Sequence, residues 1–160
     1  MKRSPELIPL SKEHHESLVL AKKCQRIAAA GKHGDIELLC QQIVRTFSGK
    51  WEQHFRSEET GIFLLAEAHG GEMAILCGQL REEHDRLREI HRAMKGGDCS
   101  GLNAFGELLQ THTRKEEREL FPLLEASFSD EQLLLATAKH KKQKGDATNV
   151  IKLSLTSCLL

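Results

Sequence analysis

Tyrosine is absent from this chain of 160 residues, tryptophan occurs once, and proline occurs only at Pro5, Pro9 and Pro122. Without tyrosine, no chemistry can run through a tyrosyl radical or a phenol relay. Sparse proline, with glycines gathered at intervals, leaves long stretches free to be helical. The five cysteines (Cys24, Cys40, Cys77, Cys99, Cys158) are scattered, odd in number and without a C-x-x-C pair. They read as reduced thiols, not as a disulfide framework or a thiolate zinc site. An excess charge of either sign is also missing: 23 Lys and Arg balance 23 Asp and Glu. That balance gives no reason to expect nucleic acid or a membrane surface as a partner. The N-terminus has no apolar signal-peptide core, and no run approaches the roughly 18 apolar residues of a spanning helix. The expectation is a cytoplasmic chain with one domain over residues 1–140 and a C-terminal tail over 141–160 that can pack or stay disordered.

What the chain has in quantity is histidine, nine in all, and a stretch written twice. His54-Phe55-Arg56-Ser57-Glu58-Glu59 returns as His112-Thr113-Arg114-Lys115-Glu116-Glu117. The likeness runs on through Ile62, Phe63, Leu65, Glu67 and Ala68, matched by Leu120, Phe121, Leu123, Glu125 and Ala126. Phe47 and Phe105 each stand seven residues before the motif histidine. A surface charge pattern would not repeat its apolar neighbours, so this is an internal duplication. A second match, Leu-x-x-Glu-His, ends at His14 and again at His84.

Apolar spacing predicts helices throughout. The first runs from Ser11, a good N-cap, to Ala30 before Gly31. The second runs from Asp35 to His69 and carries Leu38, Leu39, Ile43, Phe47, Trp51, His54, Glu58 and Ile62 on one side. Gly49 inside it allows a local kink. The third covers Glu72 to Lys95, with Leu76, Leu80, His84 and Leu87 in register. The fourth opens at Asp98 or Ser100 and carries Leu102, Phe105, Leu109, His112, Glu116 and Leu120, with a bend expected at Pro122. Ser129 with Gln132 resembles a capping box and starts a short fifth helix to His140. Short connections between long amphipathic helices imply an all-α, antiparallel up-down-up-down four-helix bundle with a short fifth C-terminal helix. The repeats make helices one and two one half, and helices three and four the other.

His and Glu at i and i+4 share a helix face one turn apart. Two copies supply His54, Glu58, His112 and Glu116, and the apolar stripes of the remaining helices add His14 and His84. Four imidazoles and two carboxylates facing one core could hold two metal ions that share a carboxylate. Such a donor set, without thiolate, suits iron, manganese or zinc. A single solvated His-Glu pair needs no metal. Here both pairs lie on the buried stripe, where an unpaired carboxylate is expensive. His15, His33, His69 and His140 read as surface residues, and His91 as too far along its helix. Glu59 and Glu117 read as solvated, Trp51 and Leu109 as core, Arg56 and Arg114 as surface partners of acids, and Cys77 as buried structure.

Together, Leu-x-x-Glu-His14, His54-x-x-x-Glu58-Glu59, Glu83-His84 and His112-x-x-x-Glu116-Glu117 followed by Glu119-Leu120-Phe121-Pro122 resemble the hemerythrin-like (HHE cation-binding) family over about residues 7 to 128. The resemblance implies two non-haem iron ions, oxo- or hydroxo-bridged, with histidines as terminal ligands and carboxylates as bridges; zinc or manganese are the alternative ions. It also implies binding or sensing of dioxygen or another small diatomic, or iron handling. The sequence departs from the oxygen carriers in two ways. Arg88 stands where a second histidine of a His-x-x-x-His pair would follow His84, and Glu116 follows His112 by four where the carriers place Asp at five. The set is one imidazole poorer and more symmetric, leaving a position open or filled by water or by Glu83. The alternatives are a di-iron oxidoreductase consuming peroxide or nitric oxide, and a metal-free helical interaction scaffold.

Overall fold

A computed structural model of the chain describes residues 3–138. His140 and the expected tail over 141–160 lie outside the described residues. All regular structure among the described residues is helical: α1 (Ile8–Ala30), α2 (His33–Phe47), α3 (Trp51–Glu59), α4 (Ile62–His69), α5 (Gly71–Lys95), α6 (Leu102–Lys115), a π-helical turn (Glu116–Leu120), α7 (Phe121–Ser127) and α8 over residues 130–138. No helix among them is long and apolar enough to cross a membrane. The helices form a bundle in which α1 packs along α6, and α5 packs against α2 and α4.

Besides a start of α2 at His33, ahead of Asp35, and of α6 at Leu102, past Asp98 and Ser100, three differences from the sequence pattern shape the bundle. Helix α1 starts at Ile8, ahead of Ser11, because Pro9 sits in the first turn, where its missing N–H has no intrahelical partner to lose. The expected second helix is three helices, not one with a kink. Its first interruption is the turn Ser48-Gly49-Lys50. The second is at Thr60-Gly61, where the Gly61 N–H reaches back only to Glu58 O at 3.2 Å. Gly61 is pressed by α8: a Cβ there would stand 2.2 Å from Ala136 O and 2.7 Å from Ser57 O. Only a residue without a side chain admits a neighbouring backbone so closely.

The third difference is in the last long helix, where a π-helical turn stands just before Pro122, the place of the expected bend. Phe121 N–H donates to Glu116 O, an i to i−5 bond. The extra residue takes up the disruption that Pro122 would cause in a regular helix, since it lacks an N–H and its ring crowds the carbonyl four residues back. Pro122 then lies in the first turn of α7. The two interruptions occupy matched places in the duplication, each directly after or at the motif carboxylate. The capping box of α8 forms as expected, with Ser129 N–H donating to Gln132 Oε1 and Gln132 N–H to Ser129 Oγ.

The core is two apolar clusters with a polar layer between them. One contains Leu7, Leu10, Ile62, Phe63, Leu80, Leu120, Phe121 and Leu124, among others. The other includes Ala21, Ile43, Phe47, Trp51, Phe55, Leu87, Phe105 and Leu109. Along α1 the step between Leu10 and Ala21 is filled by buried His14 and Ser17, and along α5 His84 stands between Leu80 and Leu87. Leu38, expected on the buried side of α2, is 63 % exposed instead. Helices α1 and α6 meet almost backbone to backbone at Gly106, where a Cβ would lie 2.8 Å from both Ala21 O and Cys24 Cβ.

Candidate metal centre

His14, His54, Glu58, His84, His112 and Glu116 meet in that polar layer, each at most 4 % exposed. They form two overlapping groups. His14 and His54 share one with Glu58 and Glu116, and His84 and His112 share the other with the same two carboxylates. Within each group the ligand atoms lie within 4.8 Å of one another. Each group takes three residues from one half of the duplication and one carboxylate from the other.

The separations suit ions between these atoms. Glu58 Oε1 lies 3.2 Å from Nε2 of both His14 and His54, and Glu58 Oε2 lies 3.5 Å from Nε2 of His84. Glu116 Oε2 is 3.1 Å from Nε2 of His14 and 3.3 Å from that of His112. Two donor atoms about 2.1 Å from a common ion stand ~3.0 Å apart at a right angle and ~3.4 Å apart at the tetrahedral angle. Glu58 Oε2 and both oxygens of Glu116 are buried and have no hydrogen-bond partner. Leaving carboxylate oxygens so is costly unless a cation meets them.

The outer faces of the imidazoles are fully committed. His14 Nδ1 meets Glu117 at 2.7 Å, His54 Nδ1 meets Glu13 at 2.8 Å, His84 Nδ1 meets Glu59 at 2.8 Å, and His112 Nδ1 meets Glu83 at 2.9 Å. An ionised carboxylate only accepts, so each Nδ1 carries a hydrogen, and in the neutral imidazole each Nε2 turns a lone pair inward. His84 and His112 thereby bring two lone-pair nitrogens to 3.0 Å. Such a pair is repulsive without a cation, proton or metal, beside it.

Charge at the site follows the same logic. Burial alone would raise Glu59, but hydrogen bonds from His84 and Arg88 outweigh it and hold the carboxyl at about 2. Glu117 is held at about 2 against its burial by His14 and Arg3. Burial likewise opposes ionisation of Glu83, and His112 and Lys115 overcome it. Burial should lower His84, yet Glu58 and Glu59 raise it to about 9. The same contest, won chiefly by Glu116, raises His14 well above its ordinary value. Without metal, the centre attracts protons.

Glu59 and Glu117, expected to be solvated, are therefore half-buried partners of His84 and His14. Glu83, expected as one possible filler of an open position, belongs to neither group and faces His112 and Lys115. The legible cue was adjacency: Glu13 and Glu83 directly precede a ligand histidine, and Glu59 and Glu117 directly follow a ligand carboxylate. One residue turns the helix by about 100°, which sets these side chains at the rim of the layer.

Two arginines repair the helix interruptions in parallel. Arg81 donates to Glu59 O at 2.9 Å and to Glu67 at 2.7 Å, with its guanidinium 5.6 Å from the Phe63 ring. Arg3 donates to Glu117 O at 3.0 Å and to Glu125 at 2.9 Å, and lies 5.0 Å from the Phe121 ring. The partners of the two arginines are repeat equivalents; the arginines themselves are not.

The remaining expectations divide cleanly. His15 is exposed, His33 pairs with Glu37 on the surface, and His69 packs against Phe128. His91 stacks on Phe47 at 4.0 Å and belongs to neither ligand group. Trp51, Leu109 and Cys77 are buried, and Arg56 pairs with Glu52. Phe55, the residue after the first motif histidine, stacks on His84 at 4.0 Å.

Against known proteins, a family model described as the hemerythrin HHE cation binding domain matches residues 9–124. No curated protein and no solved structure gives a match.

Proposed function

The chain belongs to the hemerythrin HHE cation-binding family, and on that premise we propose a non-haem di-iron protein that binds or senses dioxygen or a similar diatomic, or handles iron. The observation that carries this reading is the pair of overlapping ligand groups sharing Glu58 and Glu116. In it, His14 and His54 would hold one ion and His84 and His112 the other, with Glu58 and Glu116 available to both. Zinc or manganese would satisfy the same donors. The proposed frame is four antiparallel rods: α1, then α2 to α4, then α5, then α6 with the π-helical turn and α7. The short connections support it.

When bound, two ferrous ions would supply electron donation to a small diatomic; the rest falls to the chain's own residues. His14, His54, His84 and His112 would hold them, each ring fixed by a carboxylate on its outer nitrogen. Phe55, Phe63 and Phe121 stack on the histidine rings and keep bulk water from them. Glu58 and Glu116 neutralise part of the added charge within a dry layer, where charge is otherwise costly.

Metal analysis of aerobically prepared protein, with a near-ultraviolet absorption spectrum, tests this reading. Two irons per chain with oxo-to-iron absorption are expected. No metal after reconstitution, or bands of thiolate type, would refute it. A second reading, an oxidoreductase consuming peroxide or nitric oxide, is favoured by the evenness of the two groups: each has only two imidazoles, so neither ion would be saturated by the chain. Stopped-flow mixing separates the two. A reversible adduct with oxygen means binding, and sustained consumption of peroxide or nitric oxide means catalysis.

A further inference from the structure

The four carboxylates outside the ligand set form a closed circuit around the bundle. Glu13 on α1 meets His54 on α3, and Glu59 on α3 meets His84 on α5. Glu83 on α5 meets His112 on α6, and Glu117 on the π-helical turn returns to His14 on α1. Each rod thus carries one ligand histidine and one carboxylate that grips the histidine of the next rod. The carboxylates are in turn held from outside, Glu59 by two N–H groups of Arg88, Glu83 by Lys115, and Glu117 by Arg3.

We propose that Glu13, Glu59, Glu83 and Glu117 are positioning residues that lock all four imidazoles as Nδ1–H tautomers, aim every Nε2 at the centre and tune the electron density of the bound metal. This rests on the metal reading above. The geometry admits few other roles. Salt bridges built for fold stability alone would end at Arg3, Arg88 and Lys115, yet here each carboxylate also meets an imidazole whose far nitrogen is buried in the polar layer. A carboxylate accepting from Nδ1 makes Nε2 a stronger donor, which favours the higher oxidation state of the metal. Because the grips pass from rod to rod, each also fixes the rotation of one helix against its neighbour.

The test uses the full chain loaded with Zn²⁺ for nitrogen-15 NMR of the histidine rings, and with Fe²⁺ for affinity and midpoint potential. In wild type, His14, His54, His84 and His112 should all show Nδ1–H and a metal-shifted Nε2. Glu59→Ala should lower Fe²⁺ affinity by roughly 10- to 100-fold, the usual loss when such a partner is removed, and should release the His84 ring. Glu59→Gln keeps an acceptor but loses the charge. It should recover most of the affinity while shifting the midpoint potential upward. Glu83→Ala and Glu83→Gln should do the same at His112. Glu107→Gln, an exposed change of the same charge, should alter nothing. If an alanine variant fails to fold, the glutamine variant decides by its potential. Wild-type affinity, potential and ring shifts in the Glu59 and Glu83 variants would overturn the inference while leaving the metal reading intact. A wild-type chain that binds neither Zn²⁺ nor Fe²⁺ would overturn the reading on which it rests.

Discussion

Glu58 and Glu116 are wholly buried, and three of their four oxygens accept no hydrogen bond. Removing such a group takes away a metal donor while relieving the metal-free fold of a costly charge. Glu58→Ala and His112→Ala should therefore each reduce iron content to one ion per chain or fewer, with little loss of helix content. His33→Ala, on the exposed surface, should retain the full complement; metal analysis beside circular dichroism checks all three. Equal losses across the three variants would refute the ligand assignment. At this scale the sequence was legible where a residue lay on an apolar stripe, as His14, His54, His84 and His112 do. It was not legible at Glu59 and Glu117. One step off the stripe looks like solvent unless the neighbouring rod is known, and that rod carries the histidine each one grips.

Among the elements, glycines mark where helices approach one another. Gly61→Ala would drive a methyl into Ala136 O, and Gly106→Ala into the α1 backbone at Ala21. Each should destabilise by about 1–3 kcal/mol through overpacking. Gly78, in the interior of α5, has nothing within 4 Å of an added Cβ. Gly78→Ala should therefore stabilise by roughly 0.5–1 kcal/mol. Urea denaturation of the three variants is the measurement, and a common sign for all three would contradict the packing described. Local composition hinted at the first interruption, since Gly49 lies within an otherwise continuous apolar pattern. The second was hidden, because the pressure on Gly61 comes from α8, distant in the chain. The π-helical turn was hidden for another reason: the i, i+4 spacing of His112, Glu116 and Leu120 reads as ordinary helix, and only Pro122 betrayed that something had to give.

For the whole molecule, the two ligand groups tie one half of the duplication to the other, since each borrows a carboxylate across the division. Ions bound only by the folded chain stabilise it by mass action, about 2.7 kcal/mol at a free concentration one hundred times the dissociation constant. Loading with Fe²⁺ or Zn²⁺ should raise the melting temperature by several degrees, and a chelator should reverse the rise in differential scanning fluorimetry. An unchanged melting temperature with two ions bound would mean that the halves are not joined through the site. The duplication was readable from matched residues on both sides of each motif. The parallel use of Arg3 and Arg81 was not, because Arg3 precedes α1 and has no counterpart at the repeat spacing; structure alone brings it to the place that symmetry requires.

Burial of His14, His54, Glu58, His84, His112 and Glu116 between two apolar clusters would also govern time. An ion held among side chains this buried would be beyond a chelator's direct grasp and would have to wait for a helix to swing or fray. Release should then follow the clock of the protein's own opening. Its rate should be indifferent to a tenfold change in chelator concentration and should climb steeply on warming. A rate that scaled with chelator would mean a standing passage to the centre. On this view the bundle is a container whose contents turn over only as often as its walls move.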